Sequence, residues 1–246
     1  MSSSPFGAGS LDSSSGEAPD QSLPDPLPAD PFGIFGQWFD EAQAAKRQPN
    51  PNAMTLATIA EDGRPTARIV LCKGIDAAAG TLTFFTNYES DKGRSLAKHP
   101  RAAVVFHWDA FERQVRIEGP VALTTGAESD EYFASRPWVS RIGAWASQQS
   151  QPLDSRDTLV LQAVETMMRF NMDPFNPPAL DAKVQIDRPP HWGGYRLWAD
   201  RVELWVASTG RLHDRARWTR ELVPASAGPT RTFTPVAGWS STRVQP

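Results

Sequence analysis

The sequence predicts a mainly β fold with flanking helices (α+β), and three observations support this class. Five short runs rich in β-branched and aromatic residues follow one another between residues 54 and 124. Turn signals separate them, including Glu61-Asp62-Gly63 and Ala79-Gly80. An amphipathic helical pattern precedes these runs, and others follow. Strands spaced this closely indicate an antiparallel barrel or sandwich with helices packed around it.

The first elements follow from local patterns. Asp30 as N-cap and Pro31 in the first turn begin a helix, which should lie on the sheet. The residues that share its apolar face are Phe32, Phe35, Trp38, Phe39 and Ala42. The predicted strands are 54–59, 67–73, 81–86, 102–108 and 113–123. Ser90 caps a helix that Pro100 closes, between the third and fourth strands.

Helices return in the second half of the chain, at 126–135 and 154–170. The residues that give the second of these an apolar stripe are Leu159, Leu161, Val164, Met167 and Met168. Five prolines in 171–191 forbid regular structure, and a loop of this length is usually functional or mobile. Strands resume at 195–199, 202–207 and 217–222. We therefore predict one domain over 30–246.

Composition limits both organisation and function. Residues 1–29 are rich in Ser, Pro and Gly and carry four acidic residues without Lys or Arg, which predicts a disordered acidic tail. The net charge is −3, so the remaining residues sum to +1, which argues against a nucleic-acid-binding surface. The chain has neither an apolar run long enough for a membrane span nor a secretory signal pattern.

Cysteine usage points to a reducing compartment. Cys72 is the single cysteine, which excludes an intrachain disulfide. The chain has no Cys/His spacing typical of a zinc site, so we predict no metal. A cytoplasmic location is the resulting expectation.

The segment 205–215 concentrates groups suited to an anionic, aromatic ligand. It holds Trp205, Arg211, His213 and Arg215 at the end of a predicted strand. A guanidinium presents a planar fork that matches phosphate oxygens and stays charged at ordinary pH. A solvated basic turn with Asp214 as a cap is the competing interpretation.

Two other places have the chemistry to bind phosphate. The second strand alternates so that Arg68 and Lys73 leave opposite faces, although an ordinary edge strand has the same pattern. The start of the next helix, from Ser90 to Lys92, offers free backbone N–H groups and a helix dipole that attract anions. A plain capped turn is the alternative there.

Tyr132, Arg136 and Ser140 are spaced by four, but Pro137 interrupts a continuous helix. We expect Tyr132 and Arg136 on the last turn of one helix and Ser140 as the cap of the next. A hydroxyl, a guanidinium and N-cap amides would then converge on an anion. A surface arginine at a helix end is the alternative.

No motif for nucleophilic catalysis emerges. The sequence has no catalytic triad, no paired carboxylates and neither a GxGxxG nor a GxxxxGK[ST] motif. An enzyme of this sequence would therefore depend on a cofactor for its chemistry. Neutral side chains that suit the polar edge of a flavin are Gln114, Gln149 and Ser150.

Eight segments together resemble the pyridoxamine 5′-phosphate oxidase family, from about residue 30 to the end of the chain. They are Arg68-Ile-Val-Leu-Cys-Lys73, Phe84-Phe-Thr-Asn87, Glu112-Arg-Gln-Val115, Tyr132-Phe-Ala-Ser-Arg-Pro137, Ile142-Gly-Ala-Trp145, Gln149-Ser150, Trp192-Gly-Gly-Tyr195 and Arg211-Leu-His-Asp-Arg215. The closing Trp239, Arg243 and Pro246 also match. The resemblance implies an FMN-binding split barrel and a homodimer with FMN at the interface. It also implies oxidation of pyridoxamine or pyridoxine 5′-phosphate to pyridoxal 5′-phosphate, with oxygen as acceptor and hydrogen peroxide as product.

The resemblance also implies site residues by position. Those that would contact FMN are Arg68, Ile69, Val70, Leu71, Lys73, Phe85, Thr86, Lys92, Gln114, Gln149, Ser150, Trp205 and Arg215. Those that would hold the substrate phosphate are Lys73, Tyr132, Arg136 and Ser140. Arg211 and His213 would be catalytic, over the pyridine ring. We hypothesise that His213 accepts or relays a proton from the substrate.

The chain departs from the family pattern at several places. Asp91 replaces a basic residue beside Lys92, Val206-Ala207 replaces Gln-Gly, the 171–191 loop is longer, and the tail lacks an Arg-x-x-Tyr pattern. These departures put flavin affinity and closure over the substrate in doubt. The alternatives are a related split-barrel flavin oxidase acting on a phenazine precursor and a non-catalytic protein that binds flavin or pyridoxal phosphate.

Overall fold

The computed structural model describes residues 21–246 and has the predicted mainly β architecture with flanking helices. The helices are α1 (Phe32–Ala45), α2 (Asp91–Lys98), α3 (Gly126–Ser135), α4 (Trp138–Ala146) and α5 (Arg156–Arg169). The strands are β1 (Ala53–Ile59), β2 (Pro65–Leu71), β3 (Gly74–Asp76), β4 (Thr81–Asn87), β5 (Arg101–Trp108), β6 (Arg113–Leu123), β7 (Trp192–Trp198), β8 (Arg201–Val206), β9 (Asp214–Thr219), β10 (Leu222–Pro224), β11 (Phe233–Pro235) and β12 (Ser240–Arg243). The first five predicted strands are confirmed to within two residues, whereas the starts predicted at 195 and 217 are wrong by three.

Ten of these strands form one curled antiparallel sheet. Its main path is β12-β9-β8-β6-β5-β1-β2, and β7, β4 and β3 continue from β6 along a second path. Strand β6 serves both paths because its first part pairs with β8 and its last part with β7. Gly119 lies between the two parts, where a Cβ atom would come within 1.8 Å of the Trp198 carbonyl oxygen. Only glycine fits this point, at which the sheet divides into a split half-barrel.

Helix α1 lies on the sheet, as predicted. Asp30 Oδ1 accepts a hydrogen bond of 2.7 Å from the Phe32 N–H, which satisfies one of the free amides at the helix start. The Phe35 ring is fully buried and lies 5.4 Å from the ring of Phe106 in β5. Burial of a side chain of this size contributes about 2 kcal/mol, so the apolar face holds the helix in place.

Residues 21–29 lie against the body of the protein, which corrects the prediction that all of 1–29 is disordered. Leu23 is 3% exposed and belongs to the main core. The Pro28 carbonyl oxygen accepts a hydrogen bond from Trp218 Nε1 at 2.8 Å. Composition does not reveal such contacts because the partners of this segment lie 92 to 220 residues away in the chain. Residues 1–20, the rest of the predicted tail, lie outside the described residues.

A second, smaller core supports α3, α4 and the long loop. The loop at 171–191 contains no helix or strand, as predicted, but it is anchored at both ends. Met172 and Ile186 are buried in this core together with Trp138 and Trp192. Trp138 Nε1 also donates a hydrogen bond of 2.9 Å to a carbonyl oxygen of the loop. The loop therefore packs against the helices through these residues.

Helix α5 is present where predicted, but its apolar stripe is not buried. The helix contributes no buried residue, and Leu161 is 61% exposed. Its main neighbour in residues 21–246 is α4, which covers only one side of it. The periodicity correctly predicted a helix and wrongly implied a covered face.

Candidate functional site

An open cleft of about 660 Å³ lies between β2 and β4 on one side and α3 and α4 on the other. Assigned residues that line it are Ile69, Val70, Leu71, Lys73, Phe85, Thr86, Lys92, Tyr132, Arg136, Ser140 and Gln149. An adjoining cavity of about 770 Å³ shares Ile69, Lys92 and Gln149 with the cleft and adds Arg68 and Ser150. The fold thus brings most of the predicted site residues to one place.

One corner of the cleft, the polar corner, consists of Lys73, Tyr132, Arg136 and Ser140. Arg136 ends α3, and its guanidinium lies 4.7 Å from the centre of the Trp192 ring. Its Nη1 atom is buried and has no hydrogen-bond partner among residues 21–246. Burial lowers the pKa of Arg136. An anion in this corner would supply the missing acceptor.

Ser140 reaches the polar corner by a different route from the predicted one. Helix α4 begins at Trp138 with Pro137 as its cap residue, because a proline needs no hydrogen-bond partner for its nitrogen at a helix start. Ser140 therefore lies in the first turn, where its N–H donates to the Pro137 carbonyl oxygen at 2.9 Å. The prediction of Ser140 as a cap is wrong, but the residue lines the cleft as expected.

Three parallel aromatic rings form a flat wall of the cleft. The Phe85 ring lies 3.9 Å from that of Tyr132 and 5.6 Å from that of Trp192, with interplanar angles of 18° and 12°. Gly194, opposite Phe85 in the β4–β7 pair, makes room for this ring because a Cβ there would lie 2.8 Å from it. Trp192 was not assigned a role from sequence. An aromatic residue directly before two glycines in a strand is the signal that could have identified it.

The other end of the cleft is cationic. Lys92 is buried, and its Nζ donates to Gln149 Oε1 at 2.9 Å and to Ser90 Oγ at 3.1 Å. Burial and the nearby charge of Arg68 lower the pKa of Lys92 to about 8. Arg68 donates only to neutral oxygens, including the Thr58 hydroxyl at 2.7 Å, and burial lowers its pKa. Ser90 caps α2 as predicted, so the positive end of that helix dipole also faces this region.

Asp91 contributes a negative charge beside these cations. Its carboxylate lies 2.5 Å from Arg94 Nη2 and lines the adjoining cavity together with Arg94. The acid that replaces the expected basic residue is therefore paired with an arginine one helical turn later. Its like-charge effect on a phosphate in the cavity is correspondingly smaller.

The remaining residues assigned from sequence line neither the cleft nor the adjoining cavity. Gln114, Trp205 and Arg215, here called the outer row, are register partners in β6, β8 and β9. They lie on the face of the sheet turned away from the main core, because the neighbouring side chains of Val115, Leu204, Val206 and Ala216 are buried in that core. Three strand spacings separate β2 from Gln114 in β6 and five separate it from Arg215 in β9, so roughly 14 to 24 Å along the sheet divides the cleft from the outer row.

Arg211 and His213 belong to the turn at 207–213, here called the β8–β9 turn, beside the outer row. The His213 ring lies 4.7 Å from that of Trp205. The Ser208 N–H donates to His213 Nδ1 at 3.2 Å. Because Nδ1 is the acceptor, the proton of the neutral imidazole is on Nε2. This geometry favours a hydrogen-bond donor at Nε2 over the proton acceptor hypothesised from sequence.

Glu203 is a component of the outer face that sequence reasoning missed. It is 3% exposed, and it accepts hydrogen bonds of 2.7 to 3.1 Å from Arg116, Arg215 and Arg217. Burial alone would raise the pKa of Glu203, but the hydrogen bonds from Arg215 and Arg217 outweigh it and lower the pKa. A single acid inside an apolar strand, with arginines in the next strand, is the signal that could have identified it.

Two other classes of site are absent from residues 21–246. These residues contain no group of three or more His, Cys, Asp or Glu side chains that could hold a metal ion. No helix in the same range combines the length and apolar character needed to cross a membrane.

Comparison with known proteins identifies relatives over nearly the whole chain. Residues 39–169 match the family model described as pyridoxamine 5′-phosphate oxidase. Residues 192–246 match the model described as the pyridoxine 5′-phosphate oxidase C-terminal dimerisation region. A pyridoxine/pyridoxamine 5′-phosphate oxidase of Burkholderia lata is 52% identical over 217 residues, covering 88% of this chain and 89% of the relative. The Burkholderia thailandensis protein of the same name is 50% identical over 216 residues, with the same coverage.

Solved structures match the same architecture. PhzG from Burkholderia lata 383, in complex with tetrahydrophenazine-1-carboxylic acid, has a TM-score of 0.74 and 28% identity, covering 90% of this chain and 95% of that one. An FMN-binding, pyridoxamine 5′-phosphate oxidase-related protein from Nostoc punctiforme has a TM-score of 0.60 and covers 88% of this chain and 98% of its own. At 15% identity, the second likeness concerns the fold alone.

Proposed function

Since the chain belongs to the pyridoxamine 5′-phosphate oxidase family, we propose that it oxidises pyridoxamine 5′-phosphate and pyridoxine 5′-phosphate to pyridoxal 5′-phosphate. FMN is the proposed cofactor, oxygen the acceptor and hydrogen peroxide the product. The polar corner is the observation that carries this proposal. Arg136 holds a buried donor without a partner among residues 21–246, and Lys73, Tyr132 and Ser140 line the same cleft with an ammonium and two hydroxyls. This is the chemistry that a phosphate monoester requires.

The cationic end of the cleft fits the phosphate of FMN. Lys92 and Arg68 have neutral hydrogen-bond partners, so an anion would relieve the cost of their burial. Gln149 and Thr86, which hydrogen-bond each other at 3.3 Å, offer neutral groups between this end and the aromatic wall. When bound, FMN supplies a two-electron acceptor for the substrate carbon and passes those electrons to oxygen.

The residues of this chain contribute binding and orientation. In the proposed reaction the polar corner fixes the phosphate of the substrate, and the cationic end fixes that of the cofactor. Residues that hold both ligands at their phosphate ends would orient them, which would supply the proximity that a hydride transfer needs. Arg211 and His213 would cover the substrate ring, with His213 Nε2 as a donor to an oxygen of the substrate.

A homodimer is part of the proposal because one chain keeps its two sets of residues apart. Roughly 14 to 24 Å along the sheet separates the cleft from the members of the outer row. Trp205, Arg211, His213 and Arg215 all fall within residues 192–246, the segment that matches a dimerisation region. We propose that a second copy brings its outer row and β8–β9 turn to the cleft of the first.

Mixing two inactive variants tests this arrangement. Arg136→Gln disables the cleft, and Arg211→Gln disables the β8–β9 turn. In mixed dimers of a composite-site enzyme, one of the two sites receives both intact halves. We expect activity to reappear after the two variants are denatured and refolded together. Absence of any recovery would show that each chain builds its own site.

A phenazine precursor is the second candidate substrate, because of the likeness to PhzG with tetrahydrophenazine-1-carboxylic acid. Such a ring acid carries one carboxylate and no phosphate, so it would leave part of the polar corner without an acceptor. The number of cations and hydroxyls around Arg136 therefore favours the phosphorylated substrate.

A turnover assay distinguishes these functions. The purified protein is supplied with FMN, its flavin spectrum is recorded, and pyridoxine 5′-phosphate is added under air while peroxide and pyridoxal 5′-phosphate are followed. Pyridoxine without phosphate is the matched control, and tetrahydrophenazine-1-carboxylic acid is the rival substrate. We expect turnover of the phosphate ester alone. Turnover of the ring acid alone would support the rival, bound flavin without any product would support a binding protein, and no flavin binding would overturn both oxidase functions.

A further inference from the structure

Asp214 lies at the point where both ends of the described chain meet. Its Oδ2 accepts a hydrogen bond of 2.7 Å from the Leu23 N–H, and its Oδ1 lies 2.5 Å from Arg243 Nη1. Arg243 Nη2 in turn donates to the Pro24 carbonyl oxygen at 3.0 Å. Asp214, Leu23 and Arg243 are here called the junction. One carboxylate therefore joins the N-terminal segment, the start of β9 and the last strand.

The junction lies directly behind the proposed catalytic residues. Asp214 is between His213 and Arg215 in sequence, and successive side chains of a strand point to opposite faces. His213 and Arg215 thus share the outer face, while Asp214 points to the inner face, where its register partner Val206 is buried. The Leu23 side chain, 3% exposed, is packed into the core on that inner side.

Besides the junction, the β8–β9 turn is fixed by the Ala207 N–H, which donates to the Glu112 carbonyl oxygen at 2.9 Å, and by the contacts of His213 with Ser208 and Trp205. Leu212 is 76% exposed, and Gly210 and Arg211 both have left-handed backbone conformations, with φ of 68° and 63°. A left-handed arginine costs of order 1 kcal/mol, so the surroundings must hold this conformation. Within the turn, backbone hydrogen bonding is limited to a long contact of 3.3 Å between the Leu212 N–H and the Thr209 carbonyl oxygen.

We propose that Asp214 is a positioning residue, which fixes the start of β9 through Leu23 and Arg243 and so sets the direction of His213 and Arg215. This inference rests on the proposed function for the roles of those two side chains. It gives the segment 21–24 a part in the site, although no residue of that segment lines the cleft. Both hydrogen bonds at Asp214 involve a carboxylate, which makes them stronger than neutral ones.

Asp214→Asn tests the junction with minimal change of shape. An asparagine amide has one oxygen to accept and one NH₂ group that donates, so it can serve Leu23 or Arg243 but not both. The matched control is Asp200→Asn. Asp200 also pairs with an arginine, Arg101 at 2.6 Å, and its side chain is 19% exposed, against 20% for Asp214. It lies in the turn between β7 and β8, away from the proposed catalytic residues.

Amide hydrogen exchange and steady-state turnover are measured on the full-length protein supplied with FMN. Loss of a charge-assisted hydrogen bond corresponds to about a tenfold change, so we expect amide hydrogen exchange over 208–213 to accelerate about tenfold in Asp214→Asn. We expect turnover per bound FMN to fall about tenfold as well, with KM changed less than about threefold, because the polar corner that binds the substrate is intact. Both quantities should stay at the wild-type level in Asp200→Asn.

The outcomes separate positioning from a merely structural contribution. A structural contribution would reduce the amount of folded, flavin-loaded protein but leave turnover per bound FMN unchanged, and that result would overturn the proposal. Equal hydrogen exchange in the two Asp→Asn variants would overturn it as well. If Asp214→Asn does not fold, Arg243→Gln keeps the carboxylate and should give smaller changes in the same direction. If the wild-type protein shows no turnover, the proposed function fails, and the exchange measurement still tests the junction.

Discussion

The cleft and the outer face of the sheet both contain partly or fully buried cations, but a carboxylate pairs with them in only one of the two regions. On the outer face, Glu203 is bound by three arginines. In the cleft, Arg68, Lys92 and Arg136 form no ion pair with any carboxylate of residues 21–246. Burial is the first cause that lowers the pKa of each of these three groups.

This difference separates a structural cluster from a binding site. A buried cation without a counter-ion reduces the stability of the folded state, because its lost hydration is not replaced. An anionic ligand recovers that energy when it binds. A cation that already shares a buried carboxylate has less need of an anion, so we interpret the Glu203 cluster as one that holds Arg215 in position. Charge pairing, more than the number of arginines, indicates where an anion binds.

The largest effect is expected at Glu203. Glu203→Gln removes the carboxylate and leaves three guanidiniums close together, so the free energy of unfolding should fall by about 3–5 kcal/mol in urea. Glu118→Gln is the control, since Glu118 also contacts Arg116, at 3.1 Å, but is more exposed. It should cost less than about 1 kcal/mol. Equal losses for the two variants would contradict the contrast between the regions.

A cation of the cleft should behave in the opposite way. Arg136→Gln removes the proposed phosphate anchor, so KM for pyridoxine 5′-phosphate should rise about 100-fold, or about 2.7 kcal/mol. The free energy of unfolding should not fall, because an unpaired buried charge is removed. Arg169→Gln is the control: its guanidinium also lies over an aromatic ring, 4.5 Å from that of Trp145, but does not line the cleft. A destabilised Arg136→Gln with unchanged KM would make Arg136 a structural residue.

The sequence could predict the elements but not the pairing of their charges. Helix starts and strands depend on neighbours within a few residues, as in the capping box of Thr125 and Glu128 that opens α3. The arginines around Glu203 come from β6 and β9, and Leu23 meets Asp214 across 191 residues. No local pattern reports such contacts. The cleft residues were found through the resemblance, which identifies positions but does not tell which cations lack a counter-ion.

The pH dependence of FMN binding tests whether Lys92, an unpaired cation of the cleft, binds the FMN phosphate. Its pKa is lowered from 10.5 to about 8, so between these values the folded protein loses a proton that the unfolded chain keeps. The free energy of unfolding should therefore rise with pH across this window, as the cost of burying the charge disappears. Affinity for FMN should fall about tenfold over the same window, since one charged phosphate contact is lost.

Fluorescence titration of FMN below and above pH 8 measures this effect. Lys92→Arg is the matched variant, because a guanidinium stays protonated throughout the window. Its FMN affinity should not change with pH. A wild-type protein with the same pH-independent affinity would mean that Lys92 does not contact the phosphate.

The smallest effect is expected at His213, where two amide substitutions separate a donor from a base. Glutamine places its NH₂ group near the position of Nε2, whereas asparagine reaches only that of Nδ1. If His213 Nε2 donates to the substrate, His213→Gln should keep turnover within about threefold and His213→Asn should lose about tenfold, the value of one hydrogen bond. A general base would lose about 100-fold or more in both variants, together with the acid limb of the pH–rate profile. The hydrogen bond from the Ser208 N–H to Nδ1 is the reason to expect the first result, because it leaves the proton on Nε2.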